Sequence, residues 1–230
     1  MKGSLSVNQP VVRQALNSYF LRASGKQNRF RIMSPYELFP QARALEARYD
    51  QVKAEVEALV RARGLARYAD IDPIRAAEVS TDWRLYYAYM LGVPNPMAYR
   101  DCPTVVSFAE NTPSVVNAFI SVLEPGVGLK AHCGPYAGIL RYHLALSVPT
   151  ENPPSLRVGS EYHTWRERES ILIDDTFEHE VHNTSDEPRV VLIVDIRRPM
   201  GFVRDRVNIA SLRLKRKWSD QYLQGSTGDI

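Results

Sequence analysis

Two histidines and an arginine define the chemistry open to this chain of 230 residues. His132 is followed 47 residues later by His179, and Arg189 stands ten residues beyond that. Neutral imidazoles can hold iron(II) on one face and leave positions open for O2 and a co-substrate. The planar fork of an arginine pairs a carboxylate through two bonds, which suits the distal carboxylate of 2-oxoglutarate. This set would serve a non-haem iron dioxygenase that consumes 2-oxoglutarate and O2. The carboxylate that usually completes such a ligand face is expected two residues after the first histidine, and Gly134 stands there. On the residues alone, this counts against a full three-ligand set.

All five histidines fall between Ser121 and Pro199. Arg141 and His143 are two apart, so strand geometry puts them on one face. Either that face lines a barrel, where the pair needs a bound anion to offset desolvation, or it is solvated and the two simply point outward. His182 is an odd number of residues from His179 and should face the other way. His163, in a turn-rich region, reads as exposed or structural. Cys133 adjoins His132, but alternation of the chain turns it away, so it reads as a packed thiol.

The elements that must position these residues change character along the chain. Val11 to Leu21 suggests a short helix, and Ser34-Pro35-Tyr36-Glu37 is a helix-start pattern. From Gln41, the spacing of Leu45, Tyr49, Val52, Val56 and Leu59 predicts one amphipathic helix ending near Gly64. The aromatic run Asp82–Met90 reads as core, as helix or strand, and Thr104–Asn111 as a further helix. After Pro113 the period shortens. Strands are predicted at Val115–Leu123, Ile139–Val148, Ser155–Val158, Ile171–Ile173, His179–Asn183 and Arg189–Ile196, separated by turn signals such as Gly159-Ser160. Many short strands of this kind indicate a sandwich or barrel. The expected layout is an arm at 1–30, a helical support at 31–112, a β core at 113–200 and a basic tail at 201–230, in one folding unit.

Composition narrows the partners. A net charge of +3 gives no reason to expect nucleic acid. No run approaches the length of a transmembrane helix, and Met1–Phe20 lacks a secretory pattern. With Cys102 and Cys133 as the only cysteines, the expectation is a cytoplasmic protein with reduced thiols. The tail from Val203 to Leu223 interleaves Arg204, Arg206, Arg213, Lys215, Arg216 and Lys217 with Ile209, Leu212, Leu214 and Trp218. It suits either peripheral contact with an anionic membrane or packing against the barrel.

Two blocks, His132-Cys133-Gly134-Pro135…Arg141-Tyr142-His143-Leu144 and Asp174-Asp175-Thr176-Phe177-Glu178-His179-Glu180-Val181…Arg189…Asp195…Arg198-Pro199, resemble the aspartyl/asparaginyl β-hydroxylase family. The resemblance is close over roughly the C-terminal 80 to 100 residues and looser from Pro103 onward. It implies an α+β protein with a double-stranded β-helix (jelly-roll, cupin-like) C-terminal core and a helical N-terminal part packed on it. It also implies iron(II) held by His132 and His179 as the catalytic centre, with 2-oxoglutarate and O2 as co-substrates. Ser121, Arg141, His143 and Arg189 stand at the family's 2-oxoglutarate contacts. The family's β-hydroxylases carry glycine where the third ligand would be, so Gly134 fits, and Asp174 and Asp175 would lie outside the ligand set. The implied reaction is hydroxylation of an unactivated C–H bond, foremost the β-carbon of an aspartyl or asparaginyl residue or amino acid. Pro135-Tyr136-Ala137-Gly138 and the following strand are also similar to the lipid A acyl-chain hydroxylase branch, which makes a lipid the alternative substrate. A non-catalytic β-barrel binding protein is the alternative of a different class.

Overall fold

The computed structural model describes residues 10–23 and 30–227. Twelve strands are formed among them. The first four are β1 (Ile32–Met33), β2 (Ala66–Arg67), β3 (Arg84–Met90) and β4 (Val93–Pro94). The other eight are β5 (Val115–Leu123), β6 (Leu129–His132), β7 (Ile139–Ser147), β8 (Ser155–Val158), β9 (Glu161–Thr164), β10 (Ser170–Ile173), β11 (His179–His182) and β12 (Arg189–Arg197).

These last eight pair as one long ribbon folded at its middle. β8 pairs with β9 across the two-residue turn Gly159-Ser160, where Gly159 takes a φ of +58°. Then β7 pairs with β10, β6 with β11 and β5 with β12, all antiparallel. Rolling this ribbon gives two facing sheets, ordered β1-β10-β7-β12-β5-β3-β2 (with β4 on β3) and β6-β11-β8-β9. That is the double-stranded β-helix, or jelly roll. The stretch 31–112, expected as helical support, also supplies strands: β3 extends the large sheet beside β5.

Both faces of the large sheet are covered, so β5 and β12 are buried almost throughout and show no alternation of polarity, as expected for a doubly covered sheet. The outer face, with Ile120, Tyr142, Leu144, Leu192 and Val194, packs on helices α2 (Ala42–Glu46), α3 (Tyr49–Arg63) and, past α4 (Tyr68–Ile71), α5 (Pro73–Val79) and α6 (Ala98–Asp101), on α7 (Pro103–Glu110). Leu45, Tyr49, Val52, Val56 and Leu59 all lie in that layer. The predicted single helix is divided at Arg48, which leaves helical geometry with φ −106° and ψ 21°. Tertiary bonds on both sides hold the break. Glu46 accepts hydroxyls from Tyr36, Tyr142 and Ser170 at 2.6–2.9 Å, while Tyr49 donates to the carbonyls of Ala145 and Leu146, at 3.1 Å each. Glu46→Ala would strand these hydroxyls, that of Tyr142 deeply buried. We expect a loss of roughly 2 kcal/mol, read as a lowered urea midpoint at unchanged slope.

The N-terminal helix α1 (Pro10–Ala23) runs slightly beyond the predicted Val11–Leu21, and the remainder of the expected arm, 1–9 and 24–29, lies outside the described residues. The basic tail forms α8 (Phe202–Lys215) and α9 (Ser219–Thr227). Its packing is with the body: Leu212 joins a cluster with Phe20, Tyr136 and Ile139, Leu223 is buried against the inner core, and the Ser226 hydroxyl accepts the Tyr87 amide of β3 at 3.2 Å. Phe202, Val203 and Leu214 stay exposed. No helix among the described residues is long and apolar enough to cross a membrane.

Candidate active site

Strand alternation places Ser121, Arg141, His143 and Arg189 on the inner face of the large sheet. Phe119, Ala145, Val191 and Ile193 share that face and meet Leu129, Leu156, Val158 and Val181 of the small sheet. Of the two readings of Arg141 and His143, the inward one holds. Both facing histidines come from the small sheet, whose β6 and β11 bring them together as direct cross-strand partners, His132 opposite His179. Their ring centroids are 4.2 Å apart.

One local device orients both rings. Nδ1 of His132 lies 2.7 Å from the carbonyl oxygen of Lys130, and Nδ1 of His179 lies 3.0 Å from that of Phe177. With Nδ1–H donating to a carbonyl, each Nε2 keeps its lone pair free for a metal. Burial, reinforced by the other imidazole, pushes His179 down to about 3, and burial also lowers His132. Both rings are therefore neutral near pH 7, as metal ligands must be. The donor type and pairing fit iron(II). Among the described residues, no group of three His, Cys, Asp or Glu side chains converges as a metal site, so the imidazoles would hold the ion as a pair.

Gly134 is not simply a missing ligand. A Cβ built there would fall within 2.6 Å of both carboxylate oxygens of Asp175, so the space that a residue-134 side chain would enter is filled by a carboxylate from the opposite strand's approach loop. The Gly134 amide donates to the Asp175 carbonyl at 2.7 Å, which fixes the close approach. Both carboxylate oxygens of Asp175 are buried without a hydrogen bond from any of the described residues. Burial raises its pKa to about 6, against the lowering pull of Arg141.

Behind the histidines, Arg189 and His143 form a second group. Arg189 is 1% exposed and His143 4% exposed. The guanidinium donates from Nη2 to the Ser121 hydroxyl at 2.9 Å and lies 4.6 Å over the ring of Trp165. Among the described residues its Nε has no hydrogen-bond partner, and neither ring nitrogen of His143 has one. Burial alone, with no carboxylate to oppose it, pushes Arg189 down to about 9. Burial, then the Arg189 charge, holds His143 well below its ordinary value. Ser121 accepts a second bond from Trp83 Nε1 at 2.9 Å, so its own proton is left to donate elsewhere. A buried cation, an unpaired imidazole and a spare hydroxyl proton together fit a carboxylate-bearing co-substrate.

Arg141 is differently placed. It forms a two-bond pair with Asp195 at 2.7 and 3.2 Å, and its Nη1 lies 3.6 Å from Asp175. Burial alone would lower its pKa, but Asp195 and Asp175 raise it overall. Asn117 donates to Asp195 at 2.8 Å and accepts the Leu91 amide at 3.0 Å, tying the turn after β3 into the same network. A cavity of about 560 Å³ opens onto His132, Gly134, Arg141 and Asp195.

The remaining candidates separate cleanly. His182 is exposed on the opposite face from His179. His163 lies on β9 rather than in a turn, edge-on to Trp165. Asp174 is committed to Arg198 through two buried bonds of 2.7 and 3.0 Å. Cys133 is exposed, not packed, because β6 ends at His132 and alternation no longer governs the next residue. Trp83, Trp165 and Asn117 were not singled out from the sequence, and Asp195 stood in the resembling block without a role, its pairing with Arg141 unforeseen. The one signal for the tryptophans is their rarity, three in the chain.

Over residues 46–199 the sequence matches the family described as Aspartyl/Asparaginyl beta-hydroxylase. The ornithine lipid ester-linked acyl 2-hydroxylase of Rhizobium tropici is 35% identical over 179 residues, covering 76% of this chain and 64% of that protein. Human aspartyl/asparaginyl beta-hydroxylase is 31% identical over 123 residues, or 51% of this chain and 16% of its own length. Human aspartate beta-hydroxylase domain-containing protein 2 is 35% identical over 129 residues, or 52% of this chain and 34% of its own length. The chain thus spans less than two thirds of the bacterial relative and a smaller share of the human ones. Among solved structures, the Schizosaccharomyces pombe Cnp3 cupin domain aligns over 59% of this chain and 78% of its own, with TM-score 0.37 and 7% identity. Because the family match spans both histidine strands and the strand of Arg189, the chain belongs to the aspartyl/asparaginyl β-hydroxylase family.

Proposed function

We propose that this protein is an iron(II)- and 2-oxoglutarate-dependent dioxygenase that hydroxylates an unactivated C–H bond. The observation that supports it most is the fully buried Arg189, which among the described residues has no carboxylate partner, beside a His143 whose two nitrogens are both unpaired there. A folded protein bears the desolvation of such a cation when a ligand supplies the missing anion. Iron(II), when bound by His132 and His179, would supply the activation of O2. The overall balance is R–H + O2 + 2-oxoglutarate → R–OH + succinate + CO2.

The chain's own part is positional. Arg189 and the Ser121 proton would hold the distal carboxylate, and His143 faces the same space. The carbonyls of Lys130 and Phe177 keep the imidazoles in the metal-binding tautomer. Trp165 and the closely packed sheets keep water from the co-substrate end. Arg141, held by Asp195, presents its remaining edge and its positive field to the cavity side.

For the substrate, the family points to an aspartyl or asparaginyl side chain. A specific observation favours the second reading, an acyl chain: the cavity wall carries Leu91, Val116, Phe119, Ile139 and Leu212. The match to the acyl 2-hydroxylase also covers more of this chain than the match to the human β-hydroxylase. The test is succinate release from 2-oxoglutarate by iron-supplied protein, with a gain of one oxygen atom sought in aspartate-containing peptides, amino acids and lipid fractions. Succinate with an oxidised product supports the proposal. Failure to bind 2-oxoglutarate, with no succinate in any fraction, defeats it.

A further inference from the structure

At the cavity wall farther along from the histidines, a second cation has no acidic partner among the described residues. Lys215, the last residue of α8, sits with Nζ 3.5 Å above the centroid of the Tyr136 ring. That ring is held in place: its hydroxyl donates to Asn208 at 2.7 Å and bonds Ser211, and it makes a T-shaped contact with Phe20, ring centroids 5.8 Å apart. Arg13 of α1 lines the same cavity, as do Tyr136 and Lys215. Burial, with Arg13 adding like charge, pushes Lys215 down to about 8. The cavity's acids are engaged elsewhere. Asp195 pairs with Arg141, Glu78 pairs with Arg75, and Asp72 caps α5 and accepts from Tyr222. Two cations are thus brought together from opposite ends of the sequence, Lys215 largely desolvated and, among the described residues, neutralised by the Tyr136 face alone. A π face compensates a buried ammonium only in part, and a second cation nearby worsens the balance.

We infer that Lys215 and Arg13 form a recognition site for an anionic group, phosphate or carboxylate, at one end of a chain-bearing substrate. The apolar part of that substrate lies along Leu91, Val116, Phe119 and Leu212 towards His132. The inference rests on the hydroxylase reading for what happens at the far end, and assigns to Lys215 and Arg13 the selection of which molecules enter. Neither residue touches the metal ligands or the Arg189 group, so the site would set substrate specificity without holding the co-substrate.

Binding can be read without turnover. Calorimetric titrations of the metal-free full chain would use octyl phosphate, octanoate, octanol and inorganic phosphate, below micelle formation. Both octyl anions are expected to bind wild type about tenfold or more tightly than octanol, the scale of one charge-assisted contact. Comparing octyl phosphate with octanoate identifies the headgroup chemistry. Lys215→Met should bring the anions to within about threefold of octanol while octanol itself binds as before. Lys215→Arg should retain the preference, and Arg13→Gln should reduce it in part. Equal binding of octanol and the octyl anions by wild type would overturn the inference, as would an undiminished preference in Lys215→Met. Inorganic phosphate binding as tightly as octyl phosphate would overturn the role of the apolar wall. Because no iron is present, loss of this binding and loss of succinate release in the turnover assay are separate results.

Discussion

Arg189→Met is expected to leave the protein folded and its melting temperature unchanged or higher, while the 2-oxoglutarate concentration needed for half-maximal turnover rises about 100- to 1000-fold. The two halves of this expectation come from one fact. The guanidinium is buried with Ser121 and the Trp165 ring as its contacts and no carboxylate at hand. In the empty protein it is a desolvated charge, and an apolar side chain of similar length relieves that cost. With a dicarboxylate bound, the same charge becomes half of a buried ion pair, whose loss costs roughly 2–5 kcal/mol. Melting curves with and without 2-oxoglutarate, together with succinate release, separate the effects. Wild type should gain thermal stability from the ligand, by linkage, and Arg189→Met should not. A variant that melts several degrees lower with an unchanged 2-oxoglutarate requirement would make Arg189 a structural residue.

The second large effect is expected from Gly134→Asp, the substitution that ligand counting would recommend. It adds the carboxylate that a three-ligand face lacks, but the space is taken by Asp175. Overpacking of a filled interior costs about 1–3 kcal/mol, and a second carboxylate beside one already pushed up to about 6 adds like-charge repulsion. We expect a destabilisation of roughly 3–5 kcal/mol in total and weaker, not tighter, iron binding. Gly134→Ala isolates the steric part. Combining Gly134→Asp with Asp175→Gly should recover most of the stability, because the two side chains compete for one space. Tighter iron binding by the single variant, at wild-type stability, would refute the occupancy argument.

How far the sequence revealed this arrangement depended on whether a residue's environment is set locally. β5, β7, β10 and β12 were legible as apolar runs that end at clear turns, and the short, half-polar β8 and β11 through the turn signals beside them. β6 and β9 were not: Leu129–His132 and Glu161–Thr164 are short and half polar, and pairing with β11 and β8 makes them strands. Asp82–Met90 was ambiguous for a related reason, since an aromatic run buried on both sides has no period to distinguish helix from strand. The six site residues could be named through the resemblance, with alternation adding that Arg141 and His143 share one face. Their surroundings could not. The pairing of Arg141 with Asp195 needs the cross-strand register of β7 and β12, and Asp175 reaches Gly134 only after the sheets close. No spacing along the chain encodes either contact.

The direct opposition of His132 and His179 also has a kinetic side. The two rings meet only when a loop of 47 residues has closed and β6 has zipped onto β11 in the correct register. Closing such a loop is entropically costly, and non-local strand pairing is slow. The imidazole pair is thus absent from early, locally structured states and present once the ribbon is fully rolled. A divalent ion added during refolding should leave the early rate unchanged and slow the reverse reaction, acting as a clasp fastened after assembly.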